Sequence, residues 1–381
     1  MTPPIDFKTI ANLAGCLRRT GDPALSTAHL KQEPEDFVVD EIPSYEPGGE
    51  GEHLFLWIQK RDLTTDQLRG HIARTLDVPG RDIGIAGNKD RRAVTRQFIS
   101  VPASRLEKIG ELETPAVQVL KHELHNNKLR TGHLRGNRFD ILLRSEITAE
   151  QQVACEAKLQ RLSETGFANY FGTQRFGGGD TVRLGWELLT GQRSRSAMTK
   201  EFGRSLFRLS LSALQSAMFN IVVSRRIESG TVDRVQAGDV VMFRDRRTHF
   251  TVEDAGAEQQ RLDAGELVIT GPIFGKKMSK PTGPTAELER EVFEMFGLPD
   301  DAFGRYPKLT MGTRRPLLRW PEQLEWQFVP EGLRLQFSLN SGTYATVLLR
   351  ELTNELLLSA PSADGSGASA PCAAESAEDR V

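Results

Sequence analysis

An α+β fold is expected for this chain, on three observations. Segments with strand and helix patterns mix along it without strict βαβ alternation. No internal repeat is visible. The length of 381 residues points to two or three domains, or to one large domain carrying an insertion. Hydrophobic residues at 38% and charged residues at 26% leave enough apolar material for a packed core, which excludes wholesale disorder.

The elements follow in order. DFVVDEI and HLFLWIQK are rich in strand-forming residues and read as strands, joined by the turn segment SYEPGGEGE. TTDQLRGHIARTLDV reads as a helix, because Thr64 or Thr65 can cap it and Leu68, Ile72 and Leu76 repeat every four residues. DIGIAG is a short strand and GNKDRR the loop after it. QFISV, VQVLKHEL and NRFDILLR read as strands, the last by its alternating Phe139, Ile141 and Leu143. TAEQQVACEAKLQRLSETG is a helix ended by Gly166. NYFGTQRFGGGD is rich in glycine, and its Gly177, Gly178 and Gly179 suit a turn, lacking the spacing of a dinucleotide site. Residues 204–228 form a long helix, and 231–275 read as short β-segments and turns. GKKMSKPTGPT is a loop and ELEREVFEMFG a helix. EWQFVP and GLRLQFSLN are strands, and TYATVLLRELTNELL is a final helix. Residues 359–381 are mostly Ser, Ala, Gly and Pro with four acids, and read as a disordered tail.

Several function classes drop out. No run of ~18 apolar residues suggests a membrane span. The N-terminus shows no signal-peptide pattern. Cys16, Cys155 and Cys372 form no CxxC pair, so neither a disulfide framework nor a zinc site is expected. The seven histidines show no ligand spacing, so no metal site is expected. A reduced, cytoplasmic protein follows. The NKD sequence at 88–90 lacks the spacing of a guanine-nucleotide site, and no phosphate loop accompanies it. Formal charge is −2, so any surface for nucleic acid must be local. Two stretches qualify: Gly87 to Arg105 with five basic residues, and Lys121 to Arg144 with six. Either is a phosphate-binding face or simply a solvated one.

PEDFVVDE clusters Glu35, Asp36, Asp40 and Glu41. An acidic edge strand is the favoured reading over a Mg²⁺ site. IAGNKDRRAVTRQ is more telling, because a short strand delivers Asp90 among Lys89, Arg91, Arg92 and Arg96. Cations keep such a carboxylate ionised and hold phosphate, while the acid faces a reacting atom. A surface ion-pair cluster is the plainer alternative. In LRGNRFDILLR, Asn137 can bond a base edge, and Phe139 either stacks on a base or fills the core. ANYFGTQRFG interleaves aromatic, amide and basic side chains, as an unstacked nucleotide would need.

Together LKQEPEDFVVDE, IAGNKDRRAVTRQ, LRGNRFDILLR, NYFGTQRFG and FSLNSGTYATVLLREL resemble the tRNA pseudouridine synthase D (TruD) family, in the family's order and over about residues 25–357. The resemblance implies isomerisation of a tRNA uridine, position 13, to pseudouridine. It implies a pseudouridine synthase fold around a mixed, largely antiparallel sheet, interrupted by a family-specific inserted α/β domain. The catalytic domain would then comprise 1–165 and 311–358, and the insertion 166–310. The family's catalytic aspartate falls on Asp90. Its substrate contacts fall on Phe37, Asn137, Phe139 and Phe337, and its motif lysine upstream of PEDF on Lys31. Lys89 stands beside the aspartate as a further substrate contact. Asn88, Ala168 and Asn340 depart from the family's usual residues without removing a reactive group.

That reaction breaks a C1′–N1 bond and rejoins uracil through C5. Nothing is consumed, so no cofactor or metal is required. The base must first leave its stack, and the aromatic residues can offset the few kcal/mol involved. Asp90 would attack C1′ or deprotonate the ribose. tRNA is the expected partner, with a monomeric enzyme and no obligatory protein partner. The rivals are a non-catalytic RNA-binding protein on the same fold, a metal-dependent nuclease using Glu35, Asp36 and Asp40, and a scaffold.

Overall fold

The computed structural model describes residues 6–13, 17–244, 246 and 248–358. The expected tail at 359–381, with Cys372, and also Cys16 lie outside the described residues. Cys155 is buried in the core, where loss of water pushes its thiol up to about 11.

The chain opens with α1 (Phe7–Leu13), β1 (Leu25–Leu30), β2 (Phe37–Pro43) and β3 (His53–Arg61). α2 (Thr65–Thr75) follows, then β4 (Gly84–Ile85), β5 (Val94–Pro102), β6 (Val117–His125), β7 (Leu134–Arg144) and α3 (Ala149–Thr165). Period-two alternation sends Leu54, Leu56 and Ile58 of β3 to one face of the sheet. There they meet Leu68 and Ile72 of α2. That helix starts where a reciprocal capping box, Thr64 with Gln67, satisfies its first free N–H groups. A second box, Thr148 with Gln151, starts α3, and Gly166 ends it as expected.

The middle comprises β8 (Phe167–Ala168), α4 (Asp180–Thr190), α5 (Arg195–Glu228), β9 (Val240–Phe243), β10 (His249–Thr251), α6 (Ala255–Asp263), β11 (Leu267–Ile273), α7 (Gly283–Met295), β12 (Thr313–Pro316) and β13 (Leu318–Arg319). A small sheet of order β10-β9-β11-β12 packs here, and β8 pairs with β13. Residues 177–179 form the expected turn, with all three glycines at positive φ. α5 begins earlier than the expected 204 and breaks its helical geometry at Gly203, φ 82°. It is long and apolar enough to cross a membrane, yet 72% of its apolar window is buried inside the fold, so it is a core helix here. α6 falls where only strands and turns were expected. It buries no residue fully, so it lacks the apolar stripe that marks a helix, and Asp254 caps it.

β14 (Glu322–Val329), β15 (Gly332–Asn340), α8 (Ala345–Leu352) and β16 (Thr353–Leu358) complete the chain. The large sheet is ten-stranded, with the path β14-β15-β7-β2-β5-β3-β6 and with β1, β4 and β16 beside it. Among the described residues, only the β2–β5 and β1–β16 pairs of this sheet are parallel, so it is mixed and largely antiparallel, an α+β arrangement. The expected final helix stops at Leu352, and the next six residues form β16 against β1. Helical spacing of leucines continues past 352, but a partner strand more than 300 residues away in sequence overrides it. β2 is interior, which corrects the acidic-edge reading of PEDFVVDE. The acids of PEDFVVDE are instead paired one by one: Glu35 with Arg61 and Asp36 with Arg144 just before β2, and Asp40 with Arg96 and Glu41 with Lys89 on it.

Candidate active site

The site begins with a loop held from behind. β4 runs into residues 86–93, which carry Asp90 before β5 starts. The Lys89 N–H donates to Thr65 Oγ1 at the start of α2 (2.9 Å). Lys60 Nζ, on β3, donates to the main-chain oxygens of Asp90 and Leu63, both at 2.7 Å. Lys60 is wholly buried. Burial pushes its ammonium down to about 7, with Lys89 and Lys31 adding to that and Asp90 opposing it. The Asp90 main chain is thus fixed, while its carboxylate is 44% exposed at the rim of a cavity.

The cation on that carboxylate is Lys31, Nζ 3.1 Å from Asp90 Oδ1. Lys31 follows β1 with φ 62°, a left-handed conformation that a lysine adopts at a cost. Its ammonium also lies 4.0 Å from the centroid of the Phe37 ring. One side chain therefore links the carboxylate to the aromatic wall. The bases adjacent in sequence have other partners. Lys89 bonds Glu41 (2.8 Å), both almost fully buried, and Glu41 also accepts from the Phe98 N–H. Arg91 reaches Asp62, Arg96 bonds Asp40, and Arg92 bonds the Gln32 carbonyl.

The wall comes from three adjacent strands. In register, Val39 of β2 and Phe337 of β15 flank Phe139 of β7. Phe139 stacks on Phe337 at 5.4 Å and 28°, and Phe37 meets Phe139 edge-on at 6.0 Å. The β7–β15 contact requires Gly136, since a Cβ there would lie 2.2 Å from the Leu339 carbonyl oxygen. Asn137 and Phe139 share a face, so Arg138 between them points to the other side of the sheet.

The cavity encloses about 160 Å³. Of the residues expected at a site, Lys31, Phe37, Lys89, Asp90, Asn137 and Phe139 line it. Phe337 does not. It is 1% exposed and supports Phe139 from behind. The cavity is also lined by Gln174, from the ANYFGTQRFG stretch read above as suited to an unstacked nucleotide, and by Thr343 and Tyr344 from the turn before α8, which were not expected. Among the described residues, Asn137 Oδ1 and Thr343 Oγ1 are buried with no hydrogen-bond partner. An oxygen so placed destabilises a fold by ~1–3 kcal/mol. Lys60 was missed too. The signal was present in HLFLWIQK, where Lys60 occupies the inward position after Leu54, Leu56 and Ile58. An exposed carboxylate beside an aromatic slot, with its counter-cation and buried amide, suits chemistry on a planar base and its sugar.

Comparison with known proteins agrees with this geometry. The family model for tRNA pseudouridine synthase D (TruD) matches residues 22–199 and 188–352. The tRNA pseudouridine synthase D of Thermus thermophilus is 41% identical over 327 residues, 85% of this chain and 88% of that protein. That of Anaeromyxobacter dehalogenans is 40% identical over 336 residues, 88% and 95% of the two chains. A crystal structure from Methanosarcina mazei, assigned to tRNA pseudouridine synthase D (TruD), superposes with a TM-score of 0.69 at 26% identity, covering 90% of this chain and 97% of that one. With matches of this extent in sequence and in fold, the chain belongs to the tRNA pseudouridine synthase D (TruD) family.

Proposed function

We propose that this protein isomerises a uridine of tRNA to pseudouridine, at position 13, with the carboxylate of Asp90. The observation that carries the reading is the Asp90–Lys31 pair at the rim of a cavity walled by Phe37 and Phe139. The target base leaves its stack and enters beside the two rings, which offset the few kcal/mol of unstacking. Asp90, kept beside a cation, attacks C1′ as N1 departs, or removes a ribose proton to reach the same cleavage. The freed uracil turns within the slot, and C5 bonds to C1′ as the Asp90–C1′ ester bond breaks or, on the other route, as Asp90 returns the proton to the ribose. N1 gains a proton and C5 loses one, so the balance closes without a cofactor. Asn137 bonds the detached base, Lys31 provides positive charge beside Asp90, and Lys89, paired with Glu41, lines the slot. Phe337 acts by supporting Phe139.

The same proposal covers domain organisation. Residues 1–165 and 311–358 form the catalytic domain, and 166–310 the family's insertion. In support, every strand of the large sheet lies between 25 and 144 or between 322 and 358. The enzyme acts in the cytoplasm as a monomer without an obligatory protein partner.

The test is release of tritium from unmodified tRNA labelled at uridine C5, with chelator in excess. Wild type is expected to release tritium and leave the RNA intact, and Asp90→Asn to release none. Full activity in Asp90→Asn, or cutting of the RNA, would overturn the assignment.

A further inference from the structure

Thr343 occupies the turn between β15 and α8, where its N–H donates to the Asn340 carbonyl (3.2 Å). Its side chain is 7% exposed and lines the Asp90 cavity. A threonine just before a helix commonly spends its hydroxyl on a free N–H of the first turn. Here the cap position of α8 is Tyr344, and no side chain caps the helix. The Thr343 hydroxyl has no partner among the described residues. Asn137 Oδ1 is in the same condition on the same cavity. The β7–β15 register places Asn137 opposite Leu339, four residues before Thr343. Two buried, unpaired oxygens thus border one aromatic slot. Other buried oxygens among the described residues, Thr95 Oγ1 and Gln97 Oε1 for example, also lack a protein partner, but these two share one cavity, where a single bound partner would satisfy both.

We infer that Thr343 is a specificity-determining contact, its hydroxyl donating to a carbonyl of the uracil while Asn137 Oδ1 accepts from N3–H. The inference rests on the isomerase reading above. Uracil's edge alternates carbonyl, N3–H and carbonyl. A hydroxyl donor beside an amide acceptor matches two neighbouring positions of that edge. Cytosine carries no hydrogen on N3, so the amide oxygen would face an acceptor. The rings of Phe37 and Phe139 accept any flat base and supply no such discrimination.

The experiment compares wild type, Thr343→Val, Thr343→Ser and Asp90→Asn by single-turnover isomerisation of unmodified tRNA, tRNA affinity and melting temperature. Thr343→Val preserves shape and removes only the hydroxyl. Its rate is expected to fall about 10-fold or more. Its affinity should stay within about two-fold, because phosphate contacts dominate affinity. Its melting temperature should hold or rise, since an unpaired buried hydroxyl is replaced by a methyl. Thr343→Ser should retain most of the rate. A target carrying 2-thiouridine or 4-thiouridine, whose sulfur is a poorer acceptor, should slow wild type in one of the two cases and leave Thr343→Val no slower than before. Wild-type rate in Thr343→Val overturns the inference. So does a lower melting temperature in it, which would reveal a structural partner, or equal slowing of both proteins by both thio-substrates. If wild type itself isomerises nothing, the isomerase reading fails, a different and separable result.

Discussion

At the residue scale the sharpest consequence concerns Lys60. Below pH 7 its ammonium is protonated both in the buried site and in the unfolded chain, and the burial penalty is present in full. Between about 7 and the ordinary 10.5, the folded group sheds its proton while the unfolded one keeps it. The unfolded state then binds more protons, so stability rises with pH across that window. Lys60→Met removes the titration. From about pH 7 to 9, wild type should gain about 2 kcal/mol relative to Lys60→Met in denaturant unfolding. Parallel pH dependences would show that Lys60 does not titrate there. The same substitution removes the donor to the Asp90 carbonyl. The single-turnover rate should therefore drop at least about 10-fold while tRNA affinity holds. Loss of affinity with an intact rate would contradict that positioning role. Asp90, Phe139 and Asn137 were legible in sequence because each sits in a compact motif. The alternation of β3 marks Lys60 as inward-facing, but its contact with the Asp90 main chain was not legible, since it depends on β3 lying behind a loop 30 residues later. The cation on Asp90 likewise comes from Lys31, remote in sequence, and not from the neighbouring arginines.

At the scale of elements, local signals carried far and long-range pairing did not. A capping threonine and apolar spacing announced α2, and the closing Gly166 marked the end of α3; both helices start from complete capping boxes. The alternation of Phe139, Ile141 and Leu143 announced β7. β16 remained hidden because its identity is decided by β1, and α6 because it buries no residue fully. The β7–β15 pair shows how an element boundary supports the site. Gly136 lies against the Leu339 carbonyl, with 2.2 Å left for a Cβ. Gly136→Ala must push β15 away, and with it Phe337 and the turn bearing Thr343. A loss of ~1–3 kcal/mol in unfolding free energy is expected, with a lower isomerisation rate. Alanine tolerated without change in either quantity would mean the strands separate freely. The same substitution at Gly80, where a Cβ would meet nothing within 4 Å, should leave activity unchanged.

Across the whole molecule, a charge of −2 must be reconciled with an RNA substrate. Much of the expected basic surface is neutralised internally: Lys89, Arg96 and Arg144 bond acids at 2.8, 3.0 and 2.7 Å. Arg138 points away from the cavity. The stretch around 130–135 remains. It packs beside the Asp90 loop, with the Gly132 N–H donating to the Ala86 carbonyl and the Ser341 N–H to the Arg135 carbonyl. Arg130 and Arg135 are exposed there, the latter only 3.7 Å from a half-exposed Glu322. They are placed to meet phosphates flanking a base in the cavity. tRNA affinity should therefore fall about 10²-fold between about 50 and 200 mM salt, as neutralising about four phosphates requires. Arg130→Ala with Arg135→Ala should reduce the slope of log affinity against log salt by about 1–2, and leave the rate at saturating tRNA unaltered. An unchanged slope would move the phosphate contacts to another face. A lost rate at saturation would instead make these arginines part of the machinery that seats the base.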